Sequence, residues 1–166
     1  MIEAGQTRRV PLDQGRGHWV LAEVLRRAGE LERADAEVQA ALVILRMASP
    51  LDTPGALATL AALRLAQGKR DEALAATEEG LAKYEAMSAC GFFRGAFLHL
   101  IHAECLEATG HHEAAKIAIT RARTRLFAIA AKIDDPDYRE SFFEGVPENR
   151  RTLELARQWV GPDEPN

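Results

Sequence analysis

A glycine-centred pattern recurs three times along the chain and constrains its fold more than any other feature. The segments GELERADAEVQAAL, GKRDEALAATEEGL and GHHEAAKIAITRAR begin at Gly29, Gly68 and Gly110, about 40 residues apart. In each segment an alanine follows at the sixth position and a small residue lies seven positions further on. These residues are Ala34 and Ala41, Ala73 and Gly80, and Ala115 and Ala122.

The pattern predicts a helix–turn–helix unit that is repeated along the chain. A glycine that ends a helix adopts a positive φ without the steric cost of a Cβ atom. The small residues at fixed positions allow two helices to approach closely. Beyond Gly29 and Gly110, apolar residues recur at i, i+4, i+7 and i+11, which is the spacing of one buried helix face. In the first unit these residues are Ala34, Val38, Ala41 and Leu45.

Composition extends this prediction to the whole chain, which we expect to be all-α. Aromatic residues make up 6% of the sequence, and no alternating run of β-branched residues marks a strand. Thr53 and Pro54 predict a helix start, with the threonine as cap and the proline at the first helical position. We expect a polar segment at 1–12, helix pairs at 13–48, 53–89 and 92–133, a short helix and a capping helix within 134–160, and a tail at 161–166.

The repeated units resemble the tetratricopeptide repeat family in its longer, roughly 40-residue form. The resemblance covers about residues 13 to 133 and implies a right-handed superhelical array of three helix pairs. The stretch DPDYRESFFEGVPENRRTLELARQW, from Asp135 to Trp159, resembles the segment that closes such arrays in large bacterial signalling proteins. The residues that carry the family resemblance are Leu21, Ala22, Gly29, Ala34, Ala41, Leu60, Ala61, Gly68, Ala73, Ala103, Leu106, Gly110, Ala115 and Ala122.

The resemblance also implies a concave groove that is lined by the first helix of each pair. The family's groove positions correspond here to Arg16, Trp19, Val20, Glu23, Ala58, Thr59, Ala62, Phe97, Leu100, Ile101 and Glu104. We expect this groove to bind an apolar or amphipathic segment of a partner protein, with Trp19 and Phe97 as anchors. Alternatives are homo-oligomerisation, autoinhibitory docking within a larger chain, or simple filling of the space between the first helices.

The histidines of the chain are weak candidates for a metal site. Adjacent residues such as His111 and His112 point about 100° apart on a helix, so they do not share one ion easily. His99 and His102 have the i, i+3 spacing of a ligand pair. Cys105, however, lies about 120° around the helix from His99, and no fourth ligand is evident. We therefore expect no metal and no cofactor.

Other activities find little support in the sequence. The net charge of −4 and the lack of aromatic residues within RARTR (121–125) argue against nucleic-acid binding. No window is apolar enough for a membrane helix, and no catalytic motif is present, so we expect a cytoplasmic protein that is not an enzyme. The N-terminal end shows no cap, so we expect either a longer natural chain or a partner that covers the first helix pair.

Overall fold

A computed structural model describes residues 3–87 and 95–161, and from residue 10 onward it also describes their side chains. These residues form eight α-helices and no strand. The predicted all-α class is therefore confirmed for this part of the chain. The residues at the junction of the second and third predicted pairs (88–94) and most of the predicted tail (162–166) lie outside the described residues. The helices are α1 Glu3–Arg27, α2 Leu31–Ala48, α3 Thr53–Ala66, α4 Arg70–Ala86, α5 Ala96–Ala108, α6 His112–Ala130, α7 Pro136–Glu144 and α8 Pro147–Trp159.

The first six helices pack as consecutive pairs, α1 with α2, α3 with α4, and α5 with α6. The first helices of the three pairs, α1, α3 and α5, form a row, because α3 contacts both α1 and α5. The C-terminal helix α8 continues this row by packing against α5, and it covers α6 as well. Its Leu155 and Ala156 are buried against Leu100 and Ile119.

Each pair turns at one of the three repeated glycines, as the sequence predicts. The φ angles of Gly29, Gly68 and Gly110 are +80°, +75° and +83°, in the left-handed region that favours glycine. The Gly110 N–H donates to the carbonyl of Glu107 (3.1 Å) and the His111 N–H donates to that of Leu106 (2.8 Å). The same two hydrogen bonds close the other two turns, and they satisfy carbonyl groups that a helix end leaves unpaired.

The central helix of the molecule is α3, whose residues 53–64 are buried apart from the half-buried Leu60. Small residues make this close packing possible. A Cβ atom on Gly80 of α4 would lie 3.0 Å from Leu98 Cδ1 and 3.5 Å from Leu57 Cβ. The glycine therefore lets α4 approach α3 and α5 together.

Two helix starts differ from the sequence prediction. The first helix begins at Glu3 and continues through Pro11, so most of the polar segment 1–12 is helical. The residue that precedes α3 is Asp52 rather than Thr53, and no side chain caps the helix. The Asp52 carboxylate instead accepts hydrogen bonds from Arg16 Nε (2.7 Å) and Ser49 Oγ (2.9 Å). This contact between elements takes the place of the expected local cap.

We predict that the turn glycines are required because their backbone adopts a positive φ, and not because a side chain would clash with neighbouring atoms. A Cβ atom at Gly110 would meet no atom within 4 Å, but its positive φ costs an L-residue about 1 kcal/mol or more. Gly110→Ala should therefore lower the free energy of unfolding by roughly that amount, measured by urea denaturation. Gly110→Asn is the matched control and should lose less, since asparagine tolerates this region better. Equal losses in both variants would contradict the explanation.

Candidate functional site

A cleft of about 420 Å³ opens beside the row of first helices, between α1 on one side and α5 and α8 on the other. We call it the inner cleft. It brings together five residues of the predicted groove, together with three that the sequence did not indicate. The predicted residues are Trp19, Val20, Glu23, Thr59 and Phe97, and the additional ones are Val24, Arg27 and Glu148.

Trp19 is fixed at the inner cleft by contacts below it. Its ring packs against the core cluster of α2 and α3 that contains Leu45 and Leu57. Its indole Nε1–H donates to Thr59 Oγ1 at 3.0 Å, and Thr59 is buried. A half-buried tryptophan whose polar atom already has a partner presents the rest of its ring as an apolar surface.

Phe97 forms part of the opposite wall, and α1 reaches it through Arg26. The guanidinium carbon of Arg26 lies 5.8 Å from the centre of the Phe97 ring, within the range of a cation–π contact. Arg26 also donates to Glu23 at 2.7 Å, and Arg27 donates to the same carboxylate at 2.6 Å. Arg26 of α1 and Phe97 of α5 therefore make contact with each other, although α3 lies between these two helices.

The charge of Glu23 is neutralised within the cleft wall. Burial disfavours its ionised form, but the hydrogen bonds from Arg26 and Arg27 outweigh this effect and lower its pKa. Two arginines share this one carboxylate, so the cluster is ionised and carries a net positive charge. The rest of the lining is mainly apolar, apart from Thr59 and Glu148.

Two valines of α1 give the inner cleft an exposed apolar side. Val20 is 62% exposed and Val24 is 56% exposed, which is unusual for residues of this type. Val24 lies one helical turn after Val20, so the i, i+4 spacing could have identified it from the sequence. Glu148 belongs to α8, so the lining of the cleft includes a residue far from α1 in the sequence.

Four predicted groove residues are buried, and we correct their assignment. Ala58 packs under Tyr84 and Leu98, and Ala62 and Ile101 belong to the core between α3, α4 and α5. Leu100 is covered by α8. These four side chains fill the space between the helices, as the last of the alternatives for the groove predicts.

The remaining two predicted residues lie outside the lining of the inner cleft. Arg16 pairs with the buried Asp52 at 2.7 Å. Glu104 pairs with Arg151 of α8 at 3.2 Å. Both side chains connect neighbouring helices, so the surface at the inner cleft is narrower than the family resemblance implies.

His111 directly precedes α6 and His112 is its first residue, and both side chains are exposed. Nδ1 of His111 lies 2.9 Å from Thr109 Oγ1, and Nδ1 of His112 lies 2.9 Å from a Glu107 carboxylate oxygen. These local contacts stay within the turn. Among the described residues, no group of three or more His, Cys, Asp or Glu side chains is arranged to hold a metal ion.

His99 and His102 lie in a second depression, between α4 and α6. Burial lowers the pKa of His99 to about 4, and the nearby Arg125 and His102 add to this effect. Burial also lowers the pKa of His102, whose Nδ1 lies 3.0 Å from Thr77 Oγ1. The thiol of Cys105 is buried, which raises its pKa to about 12. Neutral imidazoles and an un-ionised thiol fit a role in packing.

Comparison with known proteins does not assign a family to this chain. No protein-family model matches it, and neither the curated proteins nor the solved structures contain a match. Among the helices described here, none combines the length and the apolar character needed to cross a membrane.

We predict that His99 makes the stability of the fold depend on pH. Its pKa is lower in the folded chain (about 4) than the ordinary value of 6.5, so stability that is present above 6.5 is lost as the pH falls toward 4. The loss attributable to His99 is at most about 3 kcal/mol. Urea unfolding at pH 7 and pH 4.5 should show a smaller difference in His99→Gln than in the unmodified chain. An equal difference in both would contradict this role.

Proposed function

We propose that the chain is a protein-interaction scaffold of the tetratricopeptide type that binds an apolar or amphipathic helical segment of a partner protein in the inner cleft. The observation that carries this proposal is the exposure of Val20 and Val24 beside the rings of Trp19 and Phe97. An exposed apolar lining is typical of a surface that another protein covers.

The arrangement of the helices supports the repeat assignment. Three helix pairs follow one another, each turns at a glycine of positive φ, and the first helices contact each other in sequence. In repeat proteins of this architecture the row of first helices presents the binding surface. The right-handed superhelix and a place within a larger bacterial regulatory protein belong to the same proposal, and they rest on the sequence resemblance.

A helix suits the inner cleft better than an extended strand. The cleft is bounded by helices, and its exposed valines are separated by one helical turn. It therefore offers alternating ridges and hollows into which side chains at i, i+3, i+4 and i+7 of a partner helix can pack. No free sheet edge is available among the described residues for a strand to extend.

The proposal can be tested with amphipathic helical peptides selected from a display library against the purified chain. Val20→Asp places a charge on the cleft wall at a position that is 62% exposed. It should weaken the binding of selected peptides at least tenfold, about 1.4 kcal/mol, when measured by calorimetry. The free energy of unfolding should change by only about 0.5 kcal/mol, since the site is at the surface.

Leu21→Asp is the matched control, because Leu21 is the next residue of α1 and is 41% exposed but does not line the inner cleft. It should leave peptide binding unchanged. Selected peptides that bind Val20→Asp as tightly as the unmodified chain would contradict the proposal. A failure to select any peptide that competes at this cleft would also count against it.

A further inference from the structure

The two walls of the inner cleft carry charges of opposite sign. On the α1 wall, Arg26 and Arg27 share the single carboxylate of Glu23, so this cluster has a net positive charge. The side chain of Arg26 is 21% exposed and lies against the Phe97 ring, whereas that of Arg27 is 60% exposed. Arg27 is therefore the positive charge that α1 presents to a ligand in the cleft.

The α8 wall carries a negative charge, that of Glu148. Its side chain is half-buried in the lining of the cleft, and it forms no ion pair with any residue that the structure describes. Glu104 of α5, by contrast, is already paired with Arg151 of α8 at 3.2 Å. Because α1 packs against α2 and α3 while α8 packs against α5, α6 and α7, Arg27 and Glu148 belong to separate walls.

The exposed apolar strip of α1 leads directly to Arg27. Val20, Val24 and Arg27 have i, i+4 and i+7 spacing, so they lie on one face of the helix, and all three line the cleft. A partner helix that lies along this face meets the two valines first and Arg27 one turn further on. Its contact with α1 therefore needs apolar residues followed by a group that accepts hydrogen bonds from a guanidinium.

We propose that the partner segment is an amphipathic helix whose apolar face is bordered by a carboxylate on one side and by a lysine or arginine on the other. This inference rests on the proposed function and adds to it the charge pattern of the partner. The carboxylate pairs with Arg27 of α1, and the basic residue pairs with Glu148 of α8. Charged residues at the borders of an apolar seam determine partner choice and orientation when helices pair.

The opposite charges also fix the direction of the bound helix. Turning a helix end for end, while its apolar face stays on the cleft, exchanges its two sides. The carboxylate would then face Glu148 and the basic residue would face Arg27, and these like-charge contacts disfavour the reversed complex. A helix with basic residues on both sides meets repulsion at Arg27, and one with acidic residues on both sides meets it at Glu148.

The first test is a selection from a library of helical peptides that have a fixed leucine face and a free choice of Glu, Lys or Gln along its two borders. Peptides selected on the unmodified chain should carry Glu on one border and Lys on the other. Val20→Asp should weaken their binding, which shows that they occupy the inner cleft. Cleft-binding peptides without this segregation of charge would overturn the inference and leave the proposed function standing. Selection of no cleft-binding peptide would overturn both.

The second test reverses charges of the chain and measures the affinity of a selected peptide by calorimetry at low ionic strength. Arg27→Glu makes both walls negative and Glu148→Lys makes both positive, so each should weaken binding about tenfold as repulsion replaces attraction. The two changes combined should restore most of the affinity, because the peptide can then bind in the reversed direction. Arg33→Glu is the matched control and should leave the affinity unchanged. Arg33 of α2 is 69% exposed and pairs with Glu30, but it does not line the cleft.

The combined variant separates recognition of a partner from a purely structural role of the two charges. Arg27 lies in the last turn of α1 and Glu148 in the first turn of α8, where charges of these signs stabilise helix ends. If they acted only in this way, the combined variant would bind the peptide no better than either single variant, and that result would overturn the inference. Single variants that bind as tightly as Arg33→Glu would overturn it as well.

Sedimentation equilibrium of the chain without peptide shows whether a second copy occupies the cleft instead. The expected result is a monomer of 18.2 kDa at all concentrations. A dimer that Val20→Asp dissociates would place a second copy in the inner cleft and would contradict the inference.

Discussion

The burial of α3 is the constraint on which the rest of the structure depends. The helix is made largely of alanine and leucine, and its alanines let four neighbouring helices approach it closely. Arg64, its one buried charge, bridges to Asp35 of α2 (2.5 Å) and Glu72 of α4 (2.9 Å). The hydrogen bonds from Arg64 lower the pKa of Asp35, so the carboxylate remains ionised and paired. A charge that is paired in this way fixes the position of α3 between the two outer helices.

The inner cleft follows from this packing. Arg26 of α1 and Phe97 of α5 make contact beside α3, and Thr59 of α3 and Glu148 of α8 line the same cleft. Exposed apolar residues of α1, Val20 and Val24, line this cleft. The first helix thus presents the surface for which we propose a partner helix.

Local signals in the sequence predicted the elements of the fold well. The three glycines marked helix ends because their conformation is decided within a few residues, and the i, i+4, i+7 stripes marked the buried faces of α2 and α6. The candidate site was predicted only in part. Trp19, Val20 and Phe97 do line the inner cleft, but Leu100 and Ile101 are buried, since α8 covers Leu100 and the packing of α5 against α3 and α4 buries Ile101. Long-range packing of this kind leaves no trace in the spacing of residues along one helix.

The two tryptophan side chains of the protein give the most direct test of the proposed binding surface. Trp19 lines the inner cleft, whereas Trp159 packs against α5 and α6 outside it. With ¹⁵N-labelled indole groups, an NMR titration with a selected amphipathic helical peptide reports on both sites in one spectrum. If the peptide binds in the inner cleft, the indole signal of Trp19 shifts in proportion to bound peptide while that of Trp159 stays in place. A shift of Trp159 with Trp19 unchanged would place the binding surface elsewhere and overturn the proposed function.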